Sequence, residues 1–142
     1  MDVTVQRGIE ELLTEARSRI ARYSPEAARS ADVVLVDLRS HDERARDGVI
    51  LGSIHVPRSV LEWRCDPASG WSNAHVADRA LPLVLVCAHG YSSSLAAAAL
   101  VELGFEHAGD LIGGFEAWRE AGLPVAAAPP PDDELPGMGG PQ

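Results

Sequence analysis

One stretch restricts what this chain can fold into more than any other: the run from Leu83 to Leu103. Leu83-Val84-Leu85-Val86 is continuously apolar, which is the pattern of a strand covered on both faces. Cys87 ends it. Ala88-His89-Gly90-Tyr91-Ser92-Ser93-Ser94 then forms a small, polar segment, and an alanine-rich helical pattern runs on to Leu103. A strand that turns sharply into a helix leaves unpaired backbone N–H groups at the turn. Together with the helix dipole they form an anion site. A thiol held there ionises easily, because helix N-termini bring cysteine from about 8.5 into the range ~3.5–7.5. Two readings of Cys87 stand side by side: a small buried hydrophobe and a thiolate nucleophile in a cradle of amides. Gly90 and the serine cluster favour the second, because glycine lets successive N–H groups converge.

The rest of the composition sets bounds. A length of 142 residues suits one domain with a substantial core. The net charge of -9 argues against a nucleic-acid partner and against an anionic membrane surface. All 12 basic residues are arginine, for which the sequence offers no functional account. No basic start followed by an apolar run marks a signal peptide, and no apolar run of ~18 residues marks a membrane span. Cys65 and Cys87 are too few for a disulfide framework, so a cytoplasmic location is expected. The five histidines show no zinc-ligand spacing, and neither metal nor cofactor is expected.

Taken in order, Val5 to Arg22 reads as one amphipathic helix with Ile9, Leu12, Leu13, Ala16 and Ile20 on a common face. Ser24-Pro25 opens a short helix to Arg29. Val33 to Val36 reads as a buried strand with Asp37 and Arg39 at its carboxyl end, the end at which ligands bind in open α/β sheets. Asp37 is therefore expected either to accept bonds from the Cys87 loop or simply to leave the sheet in a turn, and Arg39 either to pair with an acid or to do the same. Ser40 to Asp47 reads as an exposed helix, and Ile54 to Val56 as a short strand stopped by Pro57. The segment from Leu61 to Pro67 reads as irregular, pinned by Leu61 and Trp63, and Ser72 to Asp78 as a short helix. A last strand is expected within Phe105 to Ile112, with Ala108 as a candidate start, and a last helix from Phe115 to Glu120. Residues 126–142, rich in Pro and Gly, read as a disordered tail behind a single domain of residues 1–125.

Four segments carry a family resemblance. Cys87-Ala88-His89-Gly90-Tyr91-Ser92-Ser93 resembles the active-site loop of rhodanese-like sulfurtransferases, in particular the small single-domain thiosulfate sulfurtransferases. Val33–Arg39 resembles the family's early strand ending in Asp-x-Arg. Gly48–Pro57 resembles its Gly-His-Ile-Pro-Gly-Ala-x-x-Ile-Pro segment, with Val49 and Leu51 in place of the usual His and Pro. Leu111–Trp118 resembles its closing Gly-Gly-x-x-x-Trp. Ser92 stands where many members carry Arg.

The resemblance implies an α/β, rhodanese-like fold: a mostly parallel central sheet with helices on both faces. It also implies two-step sulfur transfer through a Cys87 persulfide, from a donor such as thiosulfate to cyanide or a thiol, a protein thiol included. Ala88, His89, Gly90, Tyr91, Ser92 and Ser93 would surround the sulfur, with Asp37 and Arg39 in support. Arg58 and Arg64, which follow the strand ending at Pro57, are the candidates to bind an anionic donor in place of the loop arginine. His89 reads as loop-shaping rather than as a base, and the serine hydroxyls as helix caps or persulfide ligands. A non-enzymatic persulfide carrier or redox-sensing module with the same cysteine is the alternative. A cysteine phosphatase would need an arginine fork, and no Arg lies between Arg79 and Arg119.

Overall fold

The computed structural model describes residues 6–130. Five short strands form a sheet in which every pairing is parallel: β1 (Ala21–Tyr23), β2 (Val34–Asp37), β3 (Ile54–His55), β4 (Leu83–Val86) and β5 (Gly109–Leu111), in the order β1-β5-β4-β2-β3. The helices are α1 (Ile9–Ser18), α2 (Pro25–Ser30), α3 (His41–Asp47), α4 (Leu61–Cys65), α5 (Ser92–Glu102) and α6 (Gly114–Glu120), with a 3₁₀ turn over Arg58–Val60. Parallel strands need crossover connections, and helices in those connections cover the sheet.

The alternation along β4 divides the core. Leu83 and Leu85 join Leu61, Ala96, Ala97, Leu100 and Phe105 on the face covered by α4 and α5. Val84 and Val86 join Ala28, Leu111, Phe115 and Trp118 on the face covered by α2 and α6. All four β4 side chains are buried, so the apolar run reports a central strand. This is the mostly parallel sheet with helices on both faces that the family resemblance implied.

Several expectations are corrected. The first helix ends at Ser18, and Ala21–Tyr23 is an edge strand beside β5, with the Ile112 N–H donating to the Tyr23 carbonyl at 2.8 Å. Ala21-Arg22-Tyr23 carries no strand periodicity; its pairing with a segment nearly ninety residues away makes it a strand. Val5, where that helix was expected to start, lies outside the described residues. Leu61–Cys65 is a helix rather than irregular, and Leu61 and Cys65 pin it in place of Trp63: both are fully buried, whereas Trp63 is 56% exposed. In place of the expected helix over 72–78 stands a single turn at residues 74–76, with the Asn73 carbonyl accepting from the Val76 and Ala77 N–H groups. Backbone pairing also continues past the composition change at residue 126, because Ala126 exchanges both backbone hydrogen bonds with Val49 at 2.8 Å. Residues 131–142 of the expected tail lie outside the described residues. No helix among the described residues is long and apolar enough to cross a membrane.

Candidate active site

Cys87 follows the last residue of β4, and α5 begins at Ser92, so five residues make the whole turn. The thiol is 7% exposed. Its Sγ accepts from the Gly90 N–H at 3.1 Å and from the Ser93 N–H at 3.4 Å. The serines therefore do not cap α5 with their side chains as expected: no side chain caps this helix, and the sulfur itself takes the Ser93 amide of the first turn. Burial pushes the Cys87 thiol up. Hydrogen bonds from Ser93 and Ser92 and from the Ser93 and Gly90 amides outweigh that and hold it below the ordinary thiol range. The Ser93 hydroxyl also donates to Asp110 Oδ2 at 2.8 Å.

Glycines let the loop close. Gly90 has φ +83°, and a Cβ there would lie 2.6 Å from the Gly113 nitrogen. Gly114, at φ +64°, backs the loop from the other side, where a Cβ would run into the Cys87 carbonyl. That close approach lets the Phe115 N–H donate to the Cys87 carbonyl at 2.8 Å and the Glu116 N–H to that of Ala88 at 3.1 Å. The Cys87 and Ala88 carbonyls thus point to the start of α6 while the Gly90 and Ser93 amides face the sulfur.

Of the loop residues, Gly90 and Ser93 are buried, Ala88 is half-buried, and His89, Tyr91 and Ser92 are exposed. Asp37 does not serve the loop directly. It is buried and takes Arg39 Nε at 3.1 Å, Arg39 Nη2 at 2.9 Å and Arg44 Nε at 3.2 Å. Two guanidiniums compensate its desolvation. Arg39 does pair with an acid, and its guanidinium also stacks 3.8 Å from the Phe115 ring centroid. The Asp37–Arg39 pair therefore reaches the loop through the residue whose N–H holds the Cys87 carbonyl. A cavity of about 270 Å³ opens beside it, lined by Arg39, Glu43, Arg46, Ala88 and His89 among others.

The two expected anion-binding arginines are engaged elsewhere. Arg58 pairs with Glu62 at 2.8 Å, one turn along the chain. Arg64 is 5% exposed and its Nη1 donates to the Trp71 carbonyl at 2.9 Å. The cations at the loop come instead from the N-terminal segment. Arg17 Nη2 donates to the Gly90 carbonyl at 2.9 Å and its Nε to Ser94 Oγ at 3.1 Å. Arg22 holds Asp110 with Nε at 2.9 Å. Asp110 is fully buried in β5 and also accepts from the Ser94 hydroxyl at 2.7 Å. Sequence reasoning missed Arg17, Arg22 and Asp110. An acid inside an expected buried strand was the available signal, since such a group must be paired. Among the described residues no cluster of three or more His, Cys, Asp or Glu side chains is placed to hold a metal ion.

This architecture has known counterparts. The structure of RPA3614 from Rhodopseudomonas palustris, described as a protein of unknown function and possible tyrosine phosphatase, superimposes with a TM-score of 0.78 at 37% identity, over 88% of this chain and 98% of that one. The polysulfide-sulfur transferase of Wolinella succinogenes, a homodimer, superimposes with a TM-score of 0.63 at 28% identity, over 82% and 85% of the two chains. The thiosulfate sulfurtransferase GlpE of Stutzerimonas stutzeri is 39% identical over 101 residues, 71% of this chain and 84% of that protein. The model of the rhodanese-like domain matches residues 23–121, from the end of β1 to just past α6, and by that match this chain belongs to the rhodanese-like domain family.

Proposed function

We propose that this protein is a sulfurtransferase that carries sulfane sulfur as a persulfide on Cys87. The observation that carries the reading is the sulfur's position: Sγ accepts the Gly90 and Ser93 amides at the mouth of a strand-to-helix turn. The Cys87 thiolate attacks the outer sulfur of a donor such as thiosulfate. A carbon-bound S–S bond forms, the donor's S–S bond breaks, and sulfite leaves with its electron pair. The persulfide keeps one negative charge on its terminal sulfur, and the loop amides stabilise it as an oxyanion hole would. Cyanide or a thiolate, a protein thiol included, then takes the terminal sulfur and restores the Cys87 thiolate, which makes the cycle ping-pong. The cradle favours the thiolate, so the reading assigns no base, and the exposed His89 stands outside the chemistry. A cytoplasmic setting suits two free cysteines.

One second reading has an observation in its favour, the description of RPA3614 as a possible tyrosine phosphatase. Phosphoryl transfer from a cysteine loop needs a guanidinium fork on the phosphate oxygens. Here the loop holds no arginine, and Arg17 and Arg22 bond to Gly90, Ser94 and Asp110 instead. Intact-mass analysis before and after thiosulfate tests the proposal. A cyanide-labile gain of one sulfur atom is expected, absent in Cys87→Ser, together with thiocyanate formation that falls to background in that variant. Turnover that survives Cys87→Ser defeats the assignment. A persulfide that forms without catalytic turnover points to a carrier, and hydrolysis of p-nitrophenyl phosphate without sulfur uptake points to a phosphatase.

A further inference from the structure

The loop has no cation of its own, yet two guanidiniums converge on one of its carbonyls. The Gly90 oxygen takes Arg17 Nη2 at 2.9 Å and lies 3.5 Å from Arg22 Nη2. Both arginines lie N-terminal to residues 23–121, the segment matched by the family model. Arg22 is committed to Asp110 through both of its carboxylate oxygens, at 2.9 and 3.3 Å. That leaves Arg17. It bonds Ser94 Oγ, whose proton goes to Asp110, and its guanidinium carbon lies 5.6 Å from the Tyr91 ring centroid. Under the loop, two arginines stand against one carboxylate, a surplus of one positive charge, and the surplus is Arg17.

We propose that Arg17 is a positioning residue for the Cys87 loop: α1 supplies from behind the loop the cation that position 92 lacks, and orients the Gly90 carbonyl so that the loop amides face the sulfur. The argument rests on Cys87 being the reactive thiol, as proposed above. Gly90 links the two sides, since its N–H meets Sγ at 3.1 Å and its carbonyl meets Arg17. A guanidinium on the carbonyl side polarises the loop's peptides in the sense that favours negative charge on the amide side. Docking of α1 does not call for this bond, because Leu13 and Ala16 are already buried beneath the helix. Arg19, two residues on, shows the ordinary alternative: it is solvent-facing and reaches Glu102 at 3.4 Å.

The other ionisable groups against the loop are Asp110 of β5, Glu116 of α6, Glu43, Arg46 and Asp47 of α3 around the cavity beside Ala88 and His89, and the loop's own His89 and Tyr91, with Arg39 facing it across Phe115. None of these changes in the test. The pH profile of Cys87 alkylation by iodoacetamide is measured on the full chain in a Cys65→Ser background, for native Arg17, Arg17→Gln, Arg17→Lys and the control Arg19→Gln. The midpoint is expected to rise by about one pH unit in Arg17→Gln, which makes alkylation about tenfold slower below the midpoint. It should return most of the way in Arg17→Lys and stay put in Arg19→Gln. A native midpoint in a folded Arg17→Gln overturns the proposal. If Arg17→Gln does not fold, Arg17→Lys decides: a rise of a full unit with the charge retained overturns it, and a near-native midpoint supports it. Alkylation requires no sulfur donor, so the outcome is separable from the proposed function: transferase activity with no midpoint shift defeats only the role of Arg17, and a shift without transferase activity defeats only the function.

Discussion

The two cysteines are buried thiols at opposite kinds of helix end, and they differ in consequence. Cys65 is the last residue of α4, fully buried, with Glu62 one turn back. Burial, reinforced by the Glu62 charge, pushes its thiol up to about 12. Cys87 stands before α5 and is nearly as enclosed, yet its thiol lies below the ordinary range. Burial acts on both in the same direction. The difference is made by donors: Sγ of Cys87 has two backbone N–H groups and a serine-rich turn, whereas a helix C-terminus presents carbonyls. Among buried thiols, the direction of the backbone decides which is held below the ordinary thiol range.

The largest expected effect comes from disturbing the Cys87 cradle without touching its sulfur. Gly114→Ala places a Cβ against the Cys87 carbonyl at a positive φ. We expect a stability loss of about 1–3 kcal/mol and a fall in kcat/KM of roughly 100-fold as the loop shifts. Gly52→Ala is the control, since Gly52 also has positive φ but open space around it. Thermal melts and thiocyanate kinetics compare the two; equal effects would mean that strain, not displacement of the loop, is what counts.

Stability against pH separates the cysteines by sign. The folded chain holds the Cys65 proton until about 12, while the unfolded chain releases it near the ordinary value of 9.0. Cys65 therefore contributes stability below pH 9 that is lost as pH rises from about 9 toward about 12. Cys87 is lowered in the folded state, so its contribution is complete above pH 9.0 and is lost as pH falls through the folded value. Urea titrations at a series of pH values should show native protein losing ground to Cys65→Ala in the alkaline range and gaining on Cys87→Ala as pH rises toward 9. Parallel curves for both variants would erase the contrast.

A smaller effect is expected at the loop mouth. Ser92 is exposed, so Ser92→Arg can point outward and leave the amides in place. Thiosulfate is a dianion approaching a chain of net charge -9. The native KM should sit near or above roughly 1 mM, and Ser92→Arg should lower it a few-fold, an effect that fades with salt because exposed charges are screened beyond about 8–10 Å. Arg58→Ala should leave KM unchanged, because that guanidinium is paired with Glu62. A tight native KM indifferent to Ser92→Arg would place the binding energy elsewhere. The smallest effect belongs to Cys65→Ser, which should leave turnover as it is. Rapid formation of a Cys65–Cys87 disulfide within one chain after mild peroxide, read by peptide mapping, would instead make the pair a redox device.

Much of this was legible in the sequence. Leu83–Val86 had to be a central strand because nothing polar interrupts it, and Gly90 with the serines marked the turn after Cys87. Ser24 capping α2, with Pro25 in its first turn, was readable as a helix start. The serines at α5 misled, because propensity places a hydroxyl on the first-turn amides and the structure places a sulfur there. Arg58 and Arg64 misled for a related reason: neighbourhood in sequence suggested the mouth of the site, and Glu62 and Trp71 took them.

What the sequence by itself determined is what short-range physics writes into neighbouring residues: the strand–cysteine–loop–helix unit, the caps, and an apolar pattern that demands helices on both faces of a parallel sheet. The tertiary structure decided what surrounds the sulfur. β1 became a strand only on meeting β5, Gly114 became the floor of the loop only when α6 turned under it, and Arg17, Arg22 and Asp110 became one cluster across separations of more than seventy residues. Their pairings follow from burial of charge, and a buried carboxylate requires a partner without specifying from where in the chain it comes.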